Sequence, residues 1–155
     1  MKTNNMKRML NIAIATMLFI SCTSCKKDDT GSGNGSIEYT IDGTTYVQTD
    51  NVNSVFVSGK FQGLTDDNLD AKVGDGEDIS IAIGTTYNGI KLFFKANGET
   101  YGTPPGSSSG KVTFSKNESN LLEGTFEGTV KLDGDIANPA KTITGKFTVK
   151  DFLRI

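Results

Sequence analysis

From residue 37 onward apolar and polar residues alternate, and no helical period lasts two turns. Ile37, Tyr39 and Ile41 alternate up to Asp42-Gly43, after which Thr44-Thr45-Tyr46-Val47 resumes an extended pattern. Asp-Gly tolerates the positive φ angles of a two-residue turn, so the two segments are predicted to pair as a hairpin. Ile79, Ile81 and Ile83 alternate with Ser80 and Ala82 ahead of Asn88-Gly89. Ile90, Leu92 and Phe94 then alternate with Lys91, Phe93 and Lys95. The Asn-Gly step predicts that these two strands are hairpin neighbours, and Asn97-Gly98 is a third such signal.

The pattern is clearest in the C-terminal third. Leu122, Gly124, Phe126, Gly128, Val130 and Leu132 fall on one face, with Glu123, Thr125, Glu127, Thr129 and Lys131 on the other. After Asp133-Gly134 and a loop to Ala140, Ile143, Gly145, Phe147 and Val149 share a face against Thr144, Lys146, Thr148 and Lys150. Pairing the two strands sets a Glu/Thr row beside a Lys/Thr row on a solvated face. Gly-x-Phe recurs at Gly59-Lys60-Phe61, Gly124-Thr125-Phe126 and Gly145-Lys146-Phe147. An inward glycine beside an inward phenylalanine leaves room for a neighbouring ring, so these are packing devices. With Val52–Phe61 and Lys111–Ser115 the count reaches eight or nine strands. The expected fold is all-β, an antiparallel β-sandwich, with a closed or partly open, calycin-like β-barrel as the alternative.

The N-terminus follows different rules. Lys2, Lys7 and Arg8 precede an apolar run from Met9 to Ile20, followed by Ser21-Cys22-Thr23-Ser24-Cys25-Lys26-Lys27-Asp28-Asp29. A basic head, a short apolar stretch and small residues before a cysteine make up a secretory signal. Twelve helical residues span about 18 Å, well short of the roughly 30 Å hydrocarbon core of a bilayer. The run is therefore read as a signal peptide over 1–24. Residues 25–36 are a Gly/Ser-rich flexible tether, and 37–155 a single β-domain of about 119 residues.

This segment resembles a bacterial lipoprotein signal, in which the chain is cut before a cysteine that then carries diacylglycerol. Thr23-Ser24-Cys25 and Ile20-Ser21-Cys22 are the two registers, and Cys25 is favoured over Cys22. Cys-Lys-Lys-Asp-Asp looks like the mature start of lipoproteins of the Bacteroidota, and Lys27-Asp28-Asp29 is similar to their surface-export signal. Two or more acyl chains give lasting attachment. Tyr39-Thr40-Ile41-Asp42-Gly43-Thr44-Thr45-Tyr46 is similar to the opening motif Ala-Thr-Val-Asp-Gly-x-x-Trp of small uncharacterised Bacteroidota lipoproteins. Tyr39 stands in the alanine position and Tyr46 in the tryptophan position. The stretch from Glu123 through Phe147 looks like their closing hairpin. The resemblance implies an outer-membrane lipoprotein exposed at the cell surface, with a periplasm-facing orientation as the alternative. It carries over no catalytic residue.

Composition narrows the chemistry. Without residues 1–24 the chain has 13 basic and 18 acidic residues, a net charge of −5, and Arg154 as its single arginine. That balance excludes nucleic acid as a partner. The chain has no histidine, which removes the commonest general base and any Ser-His or Cys-His pair. It also removes the histidines that would complete a zinc shell around Cys22 and Cys25.

Two segments hold candidate sites. Asp66, Asp67, Asp70, Asp75, Glu77 and Asp78 place six carboxylates within thirteen residues, a donor set that calcium would accept, although the spacing matches no EF-hand loop. Asn97 to Gly110 is rich in Gly, Pro and Ser, with Tyr101 its single aromatic. An exposed Tyr101 there would stack on a sugar or a peptide. The expectation is a non-catalytic binding or adhesion module for glycan, peptide or an envelope partner, with no required cofactor. The alternatives are a structural accessory subunit docking through a sheet edge and, third, a small hydrolase.

Overall fold

The computed structural model describes residues 35–154 apart from 50, 59, 77, 151 and 152; the predicted signal, both cysteines and most of the tether lie outside them. Among the described residues there is no helix, and thirteen strands form one sheet. They are β1 (Gly35–Ile41), β2 (Thr44–Gln48), β3 (Asn53–Val57), β4 (Lys60–Thr65), β5 (Ala71–Val73), β6 (Ile79–Ser80) and β7 (Thr86–Asn88). There follow β8 (Leu92–Ala96), β9 (Glu99–Gly102), β10 (Lys111–Glu118), β11 (Leu121–Leu132), β12 (Ala140–Lys150) and β13 (Leu153–Arg154).

The ladder runs β2-β1-β12-β11 and forks at β11, which is twelve residues long. Leu121–Glu127 of that strand pair with β10, which pairs in turn with β7. Lys131 and Leu132 pair instead with Gly102 and Tyr101 of β9, and the ladder continues β9-β8-β5-β4-β3-β13. The stem and the shorter branch face the longer branch through aromatic rings. Tyr39 of β1 lies 4.6 Å from Phe94 of β8, and Phe61 of β4 lies 5.2 Å from Phe114 of β10. β13 begins three residues after β12 ends and pairs with β3 in parallel, the one parallel pairing among the described residues. The fold is thus a two-layer sandwich whose layers are hydrogen-bonded along one side. The expected sandwich and the partly open barrel are two descriptions of one curled sheet.

Gly-x-Phe explains how the two longest strands pack. The antiparallel register sets Gly124 opposite Phe147 and Phe126 opposite Gly145, so each ring lies over the other strand's glycine. A Cβ at Gly124 would come within 2.6 Å of the Phe147 ring. Gly59, of the third copy, lies outside the described residues. On the outer face the rows are as expected, with Thr125 opposite Lys146 and Glu127 opposite Thr144. Their charges pair sideways rather than with each other. Lys146 meets Glu38 of β1 at 3.1 Å, and Glu127 meets Lys111 of β10 at 3.0 Å.

Two turns are as the sequence predicts: Asp42-Gly43 and Asn97-Gly98 each have positive φ at both residues. Asn88-Gly89 is different. Only Gly89 has positive φ (79°), whereas a type I′ turn needs two such residues. Asn88 stays in β7 opposite Lys111, and β8 pairs with β5 and β9, so the expected Ile79–Ile83/Ile90–Phe94 hairpin does not form. Backbone bonds from Ile90 N–H to the Gly110 carbonyl (3.0 Å) and from Gly74 N–H to the Lys91 carbonyl (2.7 Å) direct this part of the chain to other partners.

Tyr39 ties the layers together. Its ring is buried and its hydroxyl donates to the Lys95 carbonyl at 2.6 Å. Burial is the main cause that pushes the phenol up to about 12; a Gln48 hydrogen bond opposes it, and the Asp70 and Asp66 charges add to it. An unfolded tyrosine ionises near 10, so this contribution is complete below about pH 10 and is lost as pH rises towards 12. Tyr39→Phe should cost about 0.5–1.5 kcal/mol at neutral pH. It should also flatten the decline in stability between pH 10 and 12, as read from denaturant melts at each pH. An unchanged alkaline slope would contradict this role.

Candidate functional site

The acidic segment does not converge. Asp67 accepts from Asn53 Nδ2 at 3.1 Å, Asp70 pairs with Lys95 at 2.7 Å, and Asp75 pairs with Lys72 at 2.6 Å. Asp78 accepts from Gln62 at 2.9 Å and from Lys60 at 3.4 Å; these hydrogen bonds, that of Gln62 first, hold its carboxyl below the usual range. Glu77 lies outside the described residues. Among the described residues no three such groups gather as a metal shell would require. Asp66 has another task. It is 1 % exposed, and its Oδ1 accepts the Asp70 N–H at 2.9 Å, which closes the β4–β5 loop. Lysines and amides answer these carboxylates, not one another.

Tyr101 also sits elsewhere than expected. It belongs to β9, inside the Gly-, Pro- and Ser-rich segment, and at 3 % exposed it is buried rather than exposed. Its hydroxyl donates to Glu99 and accepts from Lys141 Nζ at 2.9 Å. Lys141 also lies 4.6 Å from the centre of the Tyr101 ring and pairs with Asp42 at 2.7 Å. Those hydrogen bonds, Asp42 first and then Tyr101, hold the ammonium well above the usual lysine range. The β1–β2 turn, β12 and β9 are clasped here, beside the seam where β11 meets β9. A ring so covered offers no stacking platform. Asn97-Gly98 closes a tight hairpin directly before it, and that turn draws the tyrosine into the sheet.

A half-buried aromatic that borders a groove is one strand over. On β8, Phe94 points inward and is fully buried, while the neighbouring Phe93 points outward and is half-buried. Phe93 helps to line a groove of about 550 Å³ on the outer face of β5, β8 and β9. Lys72, Asp75 and Lys91 line it as well, together with Thr100, Thr103 and the Asp133-Gly134 turn. Its walls are held by backbone bonds. Thr103 N–H donates to the Leu92 carbonyl at 2.9 Å, and Asp133 N–H donates to the Thr100 carbonyl at 2.8 Å. Thr103 Oγ1 accepts the Leu92 N–H at 3.0 Å. Gly102 leaves the surface open beside Gly134, and a Cβ there would make only ordinary contact, 3.7 Å from the Gly134 Cα. The Lys72 hydrogen bond and charge, with a smaller contribution from Lys91, hold the Asp75 carboxyl below its ordinary range.

This arrangement offers an aromatic side chain with the apolar Leu69 and Pro105, charged groups of both signs and hydroxyls. Its volume lies within the usual 300–1,000 Å³ for small-ligand sites. The signal was present in the sequence: Phe93 falls on the polar register, between Lys91 and Lys95. What a linear pattern could not show is that β5 and β9 would flank it. No protein-family model matches this chain, nor does any curated protein or solved structure.

Proposed function

We propose that this protein is a non-catalytic, lipid-anchored envelope protein whose β-domain binds glycan in the groove over β8. The observation that carries this reading is Phe93, an outward aromatic that lines a groove of about 550 Å³ together with hydrogen-bonding groups. A sugar ring presents an apolar C–H face and an equatorial ring of hydroxyls. The first suits an aromatic face, the second a rim of Lys72, Asp75, Lys91 and Thr100.

A glycan array followed by calorimetry on the hits tests the reading. Phe93→Ala should weaken binding by at least about tenfold, or roughly 1.4 kcal/mol, with little loss of stability. Silence of the wild-type protein across the array, or undiminished binding by the variant, would refute it. The anchor rests on the residues before 35, and a bound domain at the outer membrane, facing outward, would meet glycans directly. Cys25→Ser should shift the protein from the detergent phase to the aqueous phase. Loss of partitioning in Cys22→Ser instead would move the acylated thiol to Cys22.

A further inference from the structure

The edges of this sheet are not equally protected. An unpaired edge exposes a row of N–H and C=O groups, and folded proteins guard such rows with charge, proline, bulges or very short strands. β3 is covered by β13. β7 is three residues long, between Gly84 and Gly89, both with positive φ. β10 extends beyond its pairing with β7, but that stretch carries a register shift between Phe114 and Lys116 and the charges of Lys116 and Glu118. β2 differs. It reads Thr44-Thr45-Tyr46-Val47-Gln48, with no charge, no proline and no glycine, and among the described residues it pairs with β1 alone.

The hairpin geometry tells which groups face outward. Ile41 and Thr44 close the two-residue Asp42-Gly43 turn, so they form the hydrogen-bonded pair, and Tyr39↔Tyr46 and Ile37↔Gln48 repeat that type. The backbone N–H and C=O of Thr45 and Val47 therefore point away from β1. Val47 is also 56 % exposed, on the most β-prone stretch of this edge.

We infer that β2 pairs antiparallel with β2 of a second copy of this chain, joining two sheets across a two-fold axis. The edge is self-complementary in that register. Thr45 stands opposite the partner subunit's Val47, Tyr46 opposite the partner subunit's Tyr46, and Thr44 opposite the partner subunit's Gln48. Four backbone hydrogen bonds form, from the outward groups of Thr45 and Val47, and no charged side chain lies within the paired Thr44–Gln48 segments. Without residues 1–24 the chain carries a net charge of −5, so a neutral strand is where two copies approach with least repulsion. This pairing is independent of the groove, which lies on β5, β8 and β9.

Hydrogen exchange on the full chain, with detergent micelles in excess, tests it. Raising the protein from about 1 μM to about 100 μM should slow exchange at the Thr45 and Val47 amides by about tenfold or more, by mass action. Tyr46 and Gln48, already bonded to β1, should be protected at both concentrations. Val47→Lys, which installs the missing edge charge, should abolish the concentration dependence while keeping Tyr46 protected. Three results would each overturn the inference: no concentration dependence in the wild-type chain, protection of Thr45 and Val47 that is independent of concentration, or concentration dependence that survives in Val47→Lys.

Discussion

Gly145→Ala is expected to destabilise the domain by about 3 kcal/mol or more, a large share of the roughly 5–15 kcal/mol that holds a domain folded. A methyl at that position meets the Phe126 ring and the Glu38 carbonyl, the latter at 2.5 Å. The ring could swing aside only into the stack it makes with Phe94, at 5.1 Å between centroids. The carbonyl belongs to the β1–β12 ladder and cannot move without breaking register. Thermal melts should show a fall on the order of 10 °C. Phe126→Leu added to Gly145→Ala should recover part of the loss, because it relieves the ring clash and leaves the carbonyl clash. A Gly145→Ala protein as stable as the wild type would show that β1, β12 and β11 do not approach this closely.

Phe94→Ala should cost about 3–5 kcal/mol, the range for emptying a buried aromatic site. Phe94 is 0 % exposed and touches both layers, stacked on Phe126 and tilted against Tyr39 at 4.6 Å. Its removal opens a cavity where the faces of the sandwich meet. The comparison with its neighbour is the sharper test. Phe93 and Phe94 are adjacent in the chain, have the same composition and point to opposite faces. Phe93→Ala should lose ligand and keep stability; Phe94→Ala should lose stability first. Equal destabilisation by the two substitutions, read from denaturant midpoints, would mean that β8 does not present two unlike faces.

Much of the fold could be read in the chain because a strand buried on one face writes its orientation in a period of two. Leu122 through Leu132 and Ile143 through Val149 show that period, and both strands are where the period puts them. Asp42-Gly43 and Asn97-Gly98 were legible for a local reason, the two positive φ angles each supplies. Asn88-Gly89 carries the same letters but lacks the same conformation, because β8 gains more partners from β5 and β9 than from the segment before it. The choice is made by contacts distant in sequence, which a dipeptide does not report.

The site was less legible for the same reason. A cluster of carboxylates in sequence suggests a cluster in space, yet these residues lie in the connections between β4, β5 and β6, where each is drawn to a different partner. Asp66 turns into the interior, while Asp70, Asp75 and Asp78 each meet a lysine. The Gly, Pro and Ser of Asn97 to Gly110 suggest an exposed Tyr101, but β9 takes it into the sheet. Phe93 was visible as an aromatic out of register, but its walls come from Lys72, Thr100 and Asp133, up to forty positions away.

Glycan binding, as proposed, takes place on the outer face of β8. Amide chemical-shift mapping during titration with a glycan hit measures this most directly. The predicted result is a set of shifts centred on Phe93 and spreading to Lys72, Lys91, Thr100 and Gly134, with the Thr-rich face around Thr113 and Thr125 unmoved. Shifts centred on that opposite face, or on the β1–β2 hairpin, would contradict it.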